Sequence, residues 1–163
     1  MTEEAPALFV ALEQSGFAAS IRQSTWLYPA ANIGHIVSLT FFAGAIAVMD
    51  VRLLGGLAAT APARLLARAR SFALVALAGM AITGAVLFSA EASHLAVNRA
   101  FQLKAVLVAA GLANIAIYEF WARRAVEHLQ PGAPMPPGAK IAGACSLGIW
   151  VAVAACGRSI AYF

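Results

Sequence analysis

Four separate stretches of this chain are apolar for about the length that a helix needs to cross a bilayer, roughly 20 residues. They run from about Tyr28 to Met49, Ser71 to Ala90, Lys104 to Trp121 and Ile141 to Ile160. Hydrophobic residues make up 62% of the 163, and charged residues only 11%. A soluble domain carries about 25% charged residues, so too little charge remains here to cover a surface that faces water. Disorder, a collagen-like chain and a soluble enzyme of ordinary composition are thereby excluded. Lipid offers no partner for a backbone amide, so each stretch must satisfy its own hydrogen bonds as a helix. The expected fold is all-α: an integral membrane four-helix bundle, up-down-up-down because its loops are short. Residues 1–163 form one membrane domain.

The segment before the first span, residues 1–25, is too polar to cross. Its apolar residues Leu8, Phe9, Leu12, Phe17 and Ile21 form no single stripe, and Gly16 interrupts it. It reads as a helical segment lying at the membrane interface. The start Met1-Thr2-Glu3-Glu4 has no basic region, so a cleaved signal peptide is not expected. The loop Gln130–Gly138 holds four prolines, which lack a donor and restrict their neighbours, and so it is a non-helical connector.

Orientation follows the basic residues of the short loops. Arg52, Arg64, Arg68, Arg70, Arg123, Arg124 and Lys140 lie on one side, and Arg22, Arg99, Lys104 and Arg158 on the other. The first group marks the cytoplasmic side. Both termini are then periplasmic, in a multi-pass protein of the bacterial inner (plasma) membrane. Trp26, Tyr28 and Trp121 sit where aromatic belts belong. No basic run is interleaved with aromatic residues, which leaves no footprint for nucleic acid.

Small residues at spacing four, Ala144-Gly148-Ala152-Cys156 and Ala81-Ala85-Ser89, are expected to be helix-packing faces or a homo-oligomer contact. Cys145 and Cys156 are about 16 Å apart along one helix, beyond the reach of a disulfide.

His35 is the sharpest chemical feature. It lies about 10 Å into the outer half of the first span, where an ionisable residue is costly and faces the bundle interior. His94 follows the second span on the same side. If the second helix continues past Glu91, His35 and His94 reach one iron as metal ligands, and a b-type haem fits between facing helices. Arg99, Lys104 and Arg158 gather on that side as cations for its propionates. The plain alternative is that His35 bonds to Asn32, Ser38 or a carbonyl, and that Arg158 snorkels.

Glu119 lies four residues before Arg123 and is expected to pair with it at the interface. Asp50 and Arg52, two apart, do not face each other on a helix. Each is expected to pair with another helix or a headgroup. No Cys-x-x-Cys, His-x-x-x-His, methionine cluster or serine triad is present, so the chain carries no complete catalytic motif.

Trp26-Leu27-Tyr28-Pro29, His35 and Asp50-Val51-Arg52-Leu53-Leu54-Gly55, followed by Thr83-Gly84, Asn98, Phe101, Lys104 and Asn114, resemble an uncharacterised four-span bacterial membrane family. That resemblance implies fold and location and supplies no activity. It also implies an acidic residue near position 32, where this chain has Asn32. The four-span plan is similar to membrane cytochromes b and copper-resistance D-type proteins at fold level only. The leading expectation is a haem-b electron carrier, or a haem-bearing accessory subunit, at the periplasmic face. The alternatives are a non-catalytic subunit of a larger complex, with membrane or periplasmic protein partners, and a small transporter or metal-handling protein.

Overall fold

The computed structural model describes residues 5–162; the signal-peptide reading of residues 1–4 lies outside them. Two short helices, α1 (Ala7–Glu13) and α2 (Gly16–Gln23), precede α3 (Leu27–Leu53) and α4 (Pro62–Ala90). A six-residue helix, α5 (Ala92–Val97), leads into α6 (Arg99–Ile117). A π-helical turn, Tyr118–Ala122, carries α6 into α7 (Arg123–Glu127). The last helix, α8 (Pro137–Ser159), ends in a 3₁₀ turn at Ile160–Tyr162.

The four long rods, Leu27–Leu53, Pro62–Ala90, Arg99–Glu127 and Pro137–Ser159, have 27, 29, 29 and 23 residues and the apolarity of membrane spans. At 1.5 Å per residue they are about 35–44 Å long, which exceeds the roughly 30 Å hydrocarbon core. Their ends therefore stand in the headgroup layers, and this explains why each outruns its apolar stretch. Arg64, Arg68, Arg123 and Arg124 continue the helices, because Arg is a good helix former whose stem is compatible with the interface.

One end of the bundle carries α1, α2, α5 and the closing 3₁₀ turn, and is called the terminal end. The other, the loop end, carries the two connections 54–61 and 128–136. Gly55, at φ +105°, stops α3 in a Schellman turn. Its N–H bonds to the Arg52 carbonyl at 3.1 Å, and the Gly56 N–H to that of Val51 at 2.9 Å. The two connections are tied where the Gly132 N–H donates to the Ala58 carbonyl at 2.8 Å. Beneath them Leu53, Leu66, Tyr118, Val126, Met135, Ala139 and Ala142 form a buried apolar cluster.

Close packing runs in the order α4–α3–α8–α6. Glycines set two of the approaches. A Cβ on Gly111 of α6 would lie 2.8 Å from the Trp150 ring of α8, and one on Gly143 of α8 would lie 3.0 Å from the Leu53 Cβ of α3. The face that α8 buries is thus Ala139, Ala142, Gly143, Ser146 and Val153. The expected stripes pack only in part: on α8 Ala144 and Gly148 are exposed and Ala152 and Cys156 half-buried, and on α4 Ala81 and Ala85 are exposed while Ser89 is buried. Two faces of α8 are rich in small residues, and the aromatic knob of Trp150 decides which one packs. Between α4 and α6 the contact is made by side chains. Phe88 stacks on Phe101 at 5.3 Å near the terminal end, and Arg70 meets Glu119 near the loop end.

The N-terminal segment is helical, as expected, and packs on one end of the bundle. It breaks at Gln14–Ser15, where the Ser15 hydroxyl caps α2 by accepting from the Ala18 N–H at 3.2 Å. It then docks on the tip of the bundle, with Ala18 and Ile21 buried. Phe9 packs edge-on to Phe88, Arg22 donates to the Ala90 carbonyl at 3.0 Å, and Glu13 accepts from the Ser93 N–H at 2.7 Å and from its hydroxyl.

Candidate functional site

The terminal-end half holds the residues singled out for iron. His35 is half-buried on α3 and faces α4: its Nδ1 is 3.0 Å from the Thr83 hydroxyl oxygen. Thr83 donates its own proton to the Gly79 carbonyl at 2.6 Å, so the hydroxyl accepts from His35 and Nδ1 carries the ring proton. The ring lies against Gly84, where a Cβ would come within 3.2 Å of Cε1. The partners are therefore on the neighbouring helix, the Thr83 hydroxyl and the Met80 backbone, and neither Asn32 nor Ser38 is one of them.

His94 lies elsewhere. The second span ends at Ala90, and Glu91, at φ −138° and ψ 35°, breaks the chain into α5. The continuous helix that would have carried His94 towards His35 does not form. Glu13 holds the Ser93 N–H and hydroxyl at this corner, and His94 is exposed beside it. Of the three cations, Lys104 is near enough to His35 to act on its charge. Arg99 is exposed at the start of α6. Lys104 turns towards α8, with Nζ 3.7 Å from the point a Gly157 Cβ would take. Arg158 lies over the Tyr162 ring and donates to its hydroxyl. Among the described residues no three of His, Cys, Asp and Glu converge as a metal site.

The loop-end half holds a cavity of about 60 Å³ lined by all four long helices. Its apolar wall includes Phe42 and Ile46 of α3, Leu74 and Leu77 of α4 and Ile115 of α6. Its polar residues are Asp50, Arg70, Asn114, Tyr118, Glu119 and Ser146. Asp50 is 3% exposed. It sits one turn before the glycine stop of α3 because helical spacing turns it inward, while Val51 is exposed.

The hydrogen-bond account of this cavity does not close within the protein. Asn114 is satisfied, donating to the Ala142 carbonyl at 3.0 Å. Glu119 is satisfied twice, by Arg70 at 2.7 Å and by Arg123 at 2.8 Å, and Arg123 also holds Glu127 at 2.6 Å. Asp50 Oδ2, Arg70 Nε and the Tyr118 hydroxyl are buried and have no protein partner. Each such group costs about 1–3 kcal/mol, more where charged. Nearly all buried polar groups in native proteins are paired; of the six unpartnered buried side-chain atoms among the described residues, three line this cavity, and the others are on Arg52, Asn98 and Trp150.

The π-helical turn begins at Tyr118. Its additional residue per turn brings Tyr118 inward, to 5% exposure, while Glu119 reaches across to α4. Such single turns are frequent at functional sites. The Glu119–Arg123 pair matches expectation. Asp50 and Arg52 do not pair with each other, as expected: Asp50 is hydrogen-bonded to Ser146 of α8, and buried Arg52 donates to the Thr60 carbonyl at 3.3 Å. Nothing in the spacing signals the Arg70–Glu119 bond or the inward Tyr118, because both depend on the π turn.

A family profile described as "Family of unknown function (DUF6644)" matches residues 16–163. No curated protein matches the chain, and no solved structure does.

Proposed function

Because the chain belongs to the DUF6644 family, which carries no known activity to inherit, we propose a function from its geometry: a small multi-pass membrane protein that binds an amphipathic molecule drawn from the bilayer. The single observation that carries this reading is the set of three orphaned polar atoms, on Asp50, Arg70 and Tyr118, at one apolar cavity. An apolar ring or chain would rest on Phe42, Ile46 and Leu77. A hydroxyl on the ligand would donate to Asp50 Oδ2 and accept from Tyr118 or Arg70. That pattern suits a hydroxyl-bearing head with a hydrocarbon tail; a hydroquinone-type ring enters only as the walls part, since the space is about 60 Å³ against the roughly 150 Å³ of a cavity that holds benzene. Entry between α4 and α6 requires the Arg70–Glu119 ion pair, which closes that seam beside the cavity, to part. The role is binding and positioning, with no catalytic group invoked.

The test uses decylhydroquinone and its dimethyl ether, titrated into the purified full-length protein. The hydroquinone should bind at least tenfold more tightly, because the ether cannot donate to Asp50. Equal binding of the two, or binding of neither, would overturn the reading.

The basic residues of the loop end support a cytoplasmic loop end and periplasmic termini in an inner membrane. One observation favours haem as a second reading. A metal-ligating histidine characteristically donates from its other ring nitrogen, and His35 does so to Thr83. The dispersed placement of His94, Arg99 and Arg158 gives that reading less support than the cavity has. A Soret band that disappears in His35→Ala would establish it, and its absence after expression with ample haem would end it. A role as a partner subunit draws on the exposed small residues Ala144 and Gly148, where another helix can approach closely.

A further inference from the structure

The lipid-facing side of the α3–α4 pair carries a groove that the cavity account does not use. Its volume is about 340 Å³. Phe41 and Val48 of α3 form one wall, Leu65 and Phe72 of α4 the other, and Gly44 lies on its floor. These residues sit at helical spacing on one face of each helix, and no atom lies within 4 Å of the point a Gly44 Cβ would take. Along α3 the lining runs from Thr40 to Val48, about 12 Å of helix.

Arg68 is the only charged residue of the lining, and it stands towards the loop end. Arg64 lies one turn nearer that end, on the same face of α4. Both arginines are exposed. Neither takes part in an ion pair among the described residues, whereas Arg70 and Arg123 both do. The groove therefore presents an apolar trough in the hydrocarbon layer, headed by two uncompensated guanidinium groups at headgroup depth.

We propose that this groove is a binding site for an anionic glycerophospholipid of the loop-end leaflet. One acyl chain lies in the trough against Phe41, Gly44 and Phe72, and the phosphate is held between Arg64 and Arg68, at the level of Leu65. Charge complementarity selects this occupant. Guanidinium groups bind phosphate through charge-assisted hydrogen bonds, and basic residues next to a span attract anionic lipids. A second protein helix would bury the same trough but would leave both arginines without a counter-charge. The inference is independent of what the interior cavity binds.

The experiment is native mass spectrometry of the full-length protein released from mixed micelles. Palmitoyl-oleoyl phosphatidylglycerol and palmitoyl-oleoyl phosphatidylcholine are supplied in equal amounts. Phosphatidylglycerol should be retained in preference, and the preference should fall about fivefold for each arginine removed in Arg64→Gln and Arg68→Gln. Gly44→Phe fills the trough at a position with open space and should reduce retention of both lipids while circular dichroism stays unchanged. Equal retention of the two lipids, or a preference untouched by Arg68→Gln, would overturn the proposal. A Gly44→Phe variant that turns a dimer into a monomer without changing lipid retention would also overturn it, and would assign the groove to a second copy of the chain.

Discussion

Arg70 on α4 and Glu119 in the π-helical turn meet at 2.7 Å, joining the two helices that stand at the ends of the packing order α4–α3–α8–α6. With Phe88 and Phe101 stacked near the terminal end, this bond closes the side of the bundle that backbone packing leaves open. The cavity lies next to it, and Arg70 and Glu119 both contribute to its wall.

The first prediction concerns that bond. Both side chains are about one-quarter exposed, at 22% and 24%, so their interaction is stronger than that of a fully solvated pair. A double-mutant cycle of Arg70→Gln and Glu119→Gln should give a coupling of about 1–2 kcal/mol in reversible unfolding from micelles. Strict additivity would show that the seam is held by other contacts.

A second prediction separates the two small-residue faces of α8. Gly111→Ala places a methyl 2.8 Å from the Trp150 ring. Such overpacking should cost about 1–3 kcal/mol and shift the Trp150 fluorescence. Gly148→Ala meets open space and should change stability by less than about 0.5 kcal/mol. Unfolding curves of the two variants check the contrast, and a reversed order would contradict the packing described here.

The third prediction follows from Glu13. Hydrogen bonds from the Ser93 hydroxyl and N–H hold its carboxyl below the ordinary value of 4.5. A carboxyl depressed on docking contributes stability that is present above its undocked value. That stability is lost as pH falls through the docked value. Attachment of α1 to the α4–α5 corner should therefore weaken below about pH 4.5. Amide exchange at Ser93 should accelerate over that interval, and Glu13→Gln should remove the pH dependence. Unchanged acceleration in the variant would assign the effect to another group.

The sequence makes the four spans legible because a bilayer demands long apolar runs. It also exposes the stop of α3, because a glycine suits the left-handed conformation that ends a helix. Trp26 and Trp121 stand out at opposite ends of the bundle, 80% and 83% exposed. The site was less legible. Spacing turns His35 and Asp50 inward, but it cannot choose between Asn32, Ser38 and Thr83 as the histidine's partner, since Thr83 comes from another helix. Nor does it reveal the break at Glu91, where a distant carboxylate on α1 holds the corner and leaves His94 outside. The inward Tyr118 depends on a π turn that leaves no pattern of its own. The packing face of α8 depends on where one indole ring lies.

The central claim is that the loop-end cavity holds a ligand through the Asp50 carboxyl, and calorimetric titration of decylhydroquinone into the wild-type protein and Asp50→Asn tests it most directly. The substitution keeps the shape of the side chain and removes one of its two acceptor oxygens, so affinity should fall at least tenfold while the circular dichroism stays unchanged. Equal affinity in the two proteins would contradict the account and place the binding of the hydroquinone elsewhere.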